Sequence, residues 1–161
     1  MRNTSIVCAV LVCASVARAE DPAQTETPGV VHLNPKDMKW ADAPADLPKG
    51  AKITVLHGDP TKAGPFTMRM KAPSGYKILP HWHSNDENLT VIAGTLILHM
   101  GDTMKAKAHS LAAGGFHFLP AKMHHGAETK GETIVQITGQ GPFDIQYINP
   151  ADNPNAKSAR K

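Results

Sequence analysis

His81 and His83 stand one residue apart, Glu87 follows four residues later, and His125 comes 38 residues after that, beyond Pro120. On a β-strand, residues i and i+2 share a face and lie about 7 Å apart, so the first two imidazoles can converge on one ion. Ser84-Asn85-Asp86 can turn the chain and bring the Glu87 carboxylate back to the same face. Three imidazoles and a carboxylate form a donor set for a borderline divalent transition metal. On an octahedral ion, four such ligands leave two adjacent positions for water, O₂ or a bidentate substrate. Taken alone, His81 and His83 read as an exposed edge pair; Glu87 and His125 give them a shared purpose. The doubled His124-His125 leaves a one-residue ambiguity.

Other chemically capable residues have plainer readings. His99, His109 and His117 are surface or core histidines, any of which could stand behind a metal ligand. Tyr76 and Tyr147 read as packing, with a minor role as acid or base. Gln136, on a strongly β-branched segment, could point into a cavity as a donor. Met68, Met70, Met100 and Met104 are core fillers, and the basic residues are scattered over a solvated surface.

The elements that must position these groups are short strands. The 161 residues include 13 Gly and 13 Pro, so turns are frequent and a helical bundle is excluded. Strands are expected at Val30–Leu33, Ile53–His57, Phe66–Met70, Tyr76–His83, His109–Leu111, Phe116–Leu119, Thr133–Thr138 and Phe143–Ile148. Leu89–Ala93 and Leu96–Met100 flank Gly94-Thr95 and read as a hairpin. Met38 and Trp40 are expected to anchor a Pro-rich loop, and the only helix candidates are Pro35–Trp40 and the C-terminal tail. The reading is one all-β sandwich or barrel.

Met1-Arg2-Asn3, the apolar run Ile6–Ala17 and Ala17-Arg18-Ala19 read as a secretory signal peptide cut after Ala19. The run is too short to span a bilayer, which takes about 20 apolar residues. Cleavage removes both cysteines, Cys8 and Cys13, leaving no disulfide or thiolate chemistry. It also removes Arg2 and Arg18, so 15 basic residues face 14 acidic ones. That balance predicts no nucleic-acid partner and no anionic membrane partner. The expected organisation is a signal peptide over 1–19, an N-terminal extension over 20–49, a barrel over 50–148 and a loose tail over 149–161. The expected location is periplasmic or secreted.

Gly75, five residues, His81-Trp82-His83, three residues, Glu87, six residues and Gly94 match the first motif of the cupin superfamily. Gly114, five residues, Pro120 and then His125 match most of its second motif. Two positions depart from that pattern: Lys122 stands where a glycine is usual, and Thr129 where an asparagine is usual. The resemblance implies a single-domain cupin jelly-roll barrel with a metal inside one end. It implies ligation by His81, His83, Glu87 and His125, with manganese or iron first and zinc the rival. It further implies a small-molecule substrate, a homodimer, and catalysis of the dioxygenase, lyase or isomerase kind. The alternative is a non-catalytic zinc- or ligand-binding barrel.

Overall fold

The structure, a computed structural model, describes residues 29–158. Every regular element described lies in one compact unit, which begins at Val31. The expected signal peptide lies outside the described residues.

Nine strands are formed: β1 (Ala41–Asp42), β2 (Lys52–His57), β3 (Gly64–Ala72), β4 (Lys77–Trp82), β5 (Glu87–Met100), β6 (Ala108–Ala112), β7 (Phe116–Leu119), β8 (His125–Gly141) and β9 (Gln146–Tyr147). Among the described residues helical structure is confined to 3-10 turns at Pro35–Asp37 and Pro150–Asp152 and a short α1 (Pro154–Ser158). All strand pairings are antiparallel.

β5 and β8 organise the barrel because each serves two sheets. The first half of β8, from His125, pairs with β4, and its second half, Thr133–Gly141, pairs with β3. The first half of β5 pairs with β7 and its second half with β6, while β8 runs alongside throughout. One sheet therefore reads β9-β4-β8-β5-β6 and the other β1-β2-β3-β8-β5-β7. Both contribute inner residues to one cavity, Ile78 and Leu98 from the first and Met68 and Ile137 from the second. This is the jelly-roll barrel expected from the motif spacing.

Three local expectations are corrected. Gly94-Thr95 is not a hairpin, because the two halves of β5 pair with β8 and not with each other. The register shifts between Val91 and Ala93 and again between Ala93 and Thr95, so Gly94 (φ +79°) marks a bulged corner. Val30–Leu33 forms no strand, and its three apolar side chains are exposed. The strand expected over Phe143–Ile148 shrinks to Gln146–Tyr147, since Phe143 and Ile145 pack against the core outside any ladder.

The loop before β2 is tied to the barrel. Lys71 sits 5.0 Å above the Trp40 ring, and Arg69 donates to the Met38 sulfur at 3.6 Å, so both expected anchors rest on β3. Tyr76 and Tyr147 donate their hydroxyls to the carbonyls of Pro48 (2.6 Å) and Asp46 (2.8 Å). Burial raises both phenols, with Asp46 adding to the effect, so neither is poised as an acid or base at neutral pH. They fasten the loop.

Both departures from the motif have a local account. Thr129 accepts the Tyr76 N–H at 3.0 Å and donates to the Pro73 carbonyl at 2.6 Å, holding the Pro-Ser-Gly turn that opens β4. Lys122 has a φ of +64°, the only positive value at a non-glycine residue among those described. A glycine is at ease there, whereas an L side chain pays about 1–2 kcal/mol. Glycine's greater freedom in the unfolded chain offsets part of that. Lys122→Gly should therefore stabilise the fold by about 0.5–1 kcal/mol, read as a higher urea midpoint at unchanged slope.

Candidate metal and ligand site

β4 delivers His81 on its inner face, and His83 follows just beyond the strand's end; both are buried. β8 opens with His125, whose backbone lies opposite His81 in the ladder. The two turns at this end support one another. The Lys122 N–H bonds the His83 carbonyl at 2.8 Å, and the Ala121 N–H bonds Asp86 at 2.7 Å. The turn carrying Glu87 and the turn leading to His125 are thus locked together.

The ring nitrogens of His81, His83 and His125 lie within 4.8 Å of one another. Glu87, which opens β5, places Oε1 3.9 Å from His83 Nε2 and Oε2 3.6 Å from His125 Nε2. The structure therefore brings His81, His83 and His125 together, with the Glu87 carboxylate beside His83 and His125. His124 points away: it is exposed and bonds Asp102 at 2.6 Å, which resolves the ambiguity in favour of His125.

Each clustered histidine has its other ring nitrogen committed to a backbone carbonyl. His81 Nδ1 faces Leu79 O at 2.8 Å, His125 Nδ1 faces Met123 O at 3.0 Å, and His83 Nδ1 faces Asp144 O. A carbonyl only accepts, so each Nδ1 carries the hydrogen and each Nε2 keeps its lone pair. Phe143 stacks on His83 with centroids 4.4 Å apart and planes at 18°, fixing that ring further. Ser84 donates from its backbone N–H (2.8 Å) and its hydroxyl (2.7 Å) to the Asp144 carboxylate, holding the segment that supplies the carbonyl.

Burial, with His125 and His83 alongside, lowers His81 to about 3, and burial likewise lowers His125. Burial works against ionised Glu87, yet the hydrogen bond from His117 and the nearby histidines bring it down to about 2. His81 and His125 are thus held neutral beside an anionic carboxylate. Three lone pairs aimed at one another beside a buried anion are complementary to a cation, and imidazole with carboxylate suits a divalent transition metal.

These shifts fix how the metal-free protein responds to acid. A histidine depressed from 6.5 takes up its proton more readily in the unfolded chain, so stability is full above about pH 6.5 and falls from there towards pH 3. Glu87, depressed from 4.5, adds stability that is present above 4.5 and lost as pH falls towards 2. Both act in one direction, so the urea midpoint should decline steadily on acidification from pH 7 to pH 4.

The sequence did not single out His117 from His99 and His109. It lines the cavity, and its Nε2 lies 3.2 Å from Glu87 Oε2. Its partner residue in the ladder is Leu89, two positions from Glu87 on the same face. That cross-strand pairing is what the sequence could not show. His109 is exposed on β6, and His99 lies on β5, 3.9 Å from Glu128. Gln136 is a correction: it faces away from the cavity and accepts from Arg69 Nε at 3.0 Å, while Val135 and Ile137 face inward.

The cavity beside the cluster has a volume of about 190 Å³ and is lined mainly by aliphatic side chains. A curled jelly roll enclosing an apolar interior is the fold of the cupin barrels, and the solved structures it resembles share it. The polyketide cyclase RemF from Streptomyces resistomycificus superposes with a TM-score of 0.67 at 14% identity, over 81% of this chain and 93% of that one. An RmlC-like cupin from Shewanella frigidimarina gives 0.54 at 18% identity, over 67% and 87%. A candidate acetylacetone dioxygenase from Methylibium petroleiphilum gives 0.59 at 19%, over 80% and 92%. No curated protein matches the sequence. The chain belongs to the DUF4437 family, described as a domain of unknown function, whose family model matches residues 12–146.

Proposed function

We propose that this protein is a metal-dependent small-molecule enzyme, with His81, His83, Glu87 and His125 holding one divalent ion, manganese or iron first and zinc the rival. The observation that carries the reading is the convergence of three Nε2 lone pairs and a buried carboxylate beside a ligand-sized apolar cavity. A metal bound there supplies Lewis-acid activation of an oxygen-donor substrate and, if iron or manganese, chemistry with O₂. The chain's own contributions are distinct. The three carbonyls fix the imidazole tautomers, and the aliphatic walls exclude water. His117 orients the Glu87 carboxylate.

Dioxygenation of an enol, diol or small carboxylate is the preferred reaction. The His117–Glu87 pair favours one second reading, a lyase or isomerase, because a histidine bonded to a carboxylate inside the cavity can hold or pass a proton near bound substrate. Oxygen uptake separates the two. Reconstituted protein should consume O₂ on such substrates only when metal is present. Metal-dependent turnover at constant O₂ would establish the lyase or isomerase reading instead, and zinc bound without turnover would establish the non-catalytic one.

His117→Ala should leave the far-ultraviolet spectrum intact and weaken metal binding about 10- to 100-fold, as removal of a group that orients a ligand does. His117→Gln, which keeps a donor, should recover part of that affinity. Titration of metal-free variants against a chelator of known affinity reads both. Export with cleavage after Ala19 belongs to the same proposal, and the N-terminal sequence of the mature protein tests it.

A further inference from the structure

We propose that the ligand is a small molecule with an oxygen-chelating head and an uncharged aliphatic tail of a few carbons. This deepens the preceding reading and rests on the metal for the head group alone. The tail follows from the cavity walls.

The cavity is chemically polarised. The imidazoles and Glu87 occupy one wall, and the others are built by Ile53, Met70, Leu89, Leu96, Leu98 and Val135. Among the described residues no lysine or arginine lines it, and the carboxylates besides Glu87 are Asp46 and Asp144. A second carboxylate or a phosphate on the ligand would therefore be buried without a cation, at a cost of several kcal/mol. Among the described residues Thr61 supplies the one lining hydroxyl, so a sugar or polyol would leave most of its hydroxyls unpaired. Phe143 is the one aromatic among them besides the histidines; one face of its ring is stacked on His83, and Phe66 packs against it with centroids 5.2 Å apart. An aromatic ligand thus finds little free ring to stack on. Size sets the last limit. A dry aliphatic cavity of about 150 Å³ takes up benzene, so a space of about 190 Å³ takes a ligand only slightly larger.

Hydroxamates test this, because one chelating head can carry different tails. Calorimetric titration of metal-loaded protein should use acetohydroxamate, hexanohydroxamate and the monohydroxamate of glutaric acid. Each buried CH₂ is worth about 0.8 kcal/mol, close to fourfold in affinity. Hexanohydroxamate should therefore bind at least ten times more tightly than acetohydroxamate. The glutaric derivative, which replaces the terminal ethyl group by a carboxylate, should fall at least tenfold below hexanohydroxamate. Equal affinities within twofold, or tightest binding by the carboxylate tail, would overturn the proposal.

A second measurement keeps the metal reading separate. In metal-free protein, 2-hexanone should shift the NMR methyl signals of Leu96 and Leu98, and 4-oxopentanoate should not. That result with no metal binding would remove the metal and retain the tail preference. Metal binding with shifts from 4-oxopentanoate alone would retain the metal and overturn the tail.

Discussion

His125→Ala should abolish stoichiometric metal binding while leaving a folded barrel. His125 opens β8 and is buried, with its ring 4.2 Å from that of His81 and 5.3 Å from that of His83. Its Nδ1 is spent on Met123 O, so Nε2 is the group it offers, and alanine offers nothing in its place. Loss of an outer group that orients a ligand costs about 10- to 100-fold in affinity. Loss of a ligand itself should exceed that, weakening binding by more than about 100-fold. The metal-free variant should keep its thermal midpoint within a few degrees of metal-free wild type. The substitution removes a histidine whose neutral form sits among other lone pairs, and the strand pairing does not depend on it. His124→Ala is the matched control. It removes an exposed ring bonded to Asp102 and should leave metal affinity unchanged. Competition against a fluorescent chelator reads all three proteins. Equal affinity in His125→Ala and wild type would mean that the cluster is not the binding site.

Gly94→Ala should be the most damaging single substitution in the scaffold. A Cβ there would lie 2.3 Å from the Glu132 carbonyl oxygen, 2.6 Å from Thr133 Oγ1 and 2.8 Å from Thr133 Cα. Two of these are backbone atoms of β8, where Thr133 pairs with Ala72 of β3 and the flanking Lys130 and Ile134 pair with β5, so they have little room to retreat. Thr133 is itself 1% exposed and bonds Thr95 from both ends, accepting its N–H and donating to its carbonyl. The left-handed φ of +79° adds about 1–2 kcal/mol and the overpacking about 1–3 kcal/mol, for about 2–5 kcal/mol in all. Gly114→Ala separates the two effects. Gly114 has a φ of +84°, but an added Cβ meets nothing within 4 Å. It should cost only about 1 kcal/mol. Urea unfolding of both variants gives the difference directly. Similar losses would mean that the corner yields more readily than its ladders imply.

These two glycines also show what the sequence could and could not reveal. The cluster was legible because His81, His83 and Glu87 lie within seven residues, where strand periodicity and one turn decide their common face. His125 was legible through its spacing from Pro120. Gly94-Thr95 misled because a glycine between two β-rich runs looks the same locally whether it reverses the chain or bends it. The difference lies in β8, whose Glu132 and Thr133 meet the corner from 38 residues away. His117 was hidden for a similar reason, since only the pairing of β7 with β5 sets it beside Glu87. Gln136 was misdirected by the strand around it. Ile134 and Val135 make both faces of that segment apolar, so alternation alone does not say which face is inside. Lys122 is the reverse case. Its departure from the motif was plain in the sequence, but the left-handed backbone that makes glycine usual there is visible only in the fold.

The central claim is that a divalent metal sits among His81, His83, Glu87 and His125. Elemental analysis of the mature wild-type protein, purified without chelator and repeated after metal removal and re-addition of manganese, iron or zinc, tests it most directly. The account predicts about one equivalent of a single divalent metal per chain, present in wild type and absent from His125→Ala. Wild-type protein that binds none of the three would contradict it and leave the barrel a metal-free receptor for small aliphatic molecules.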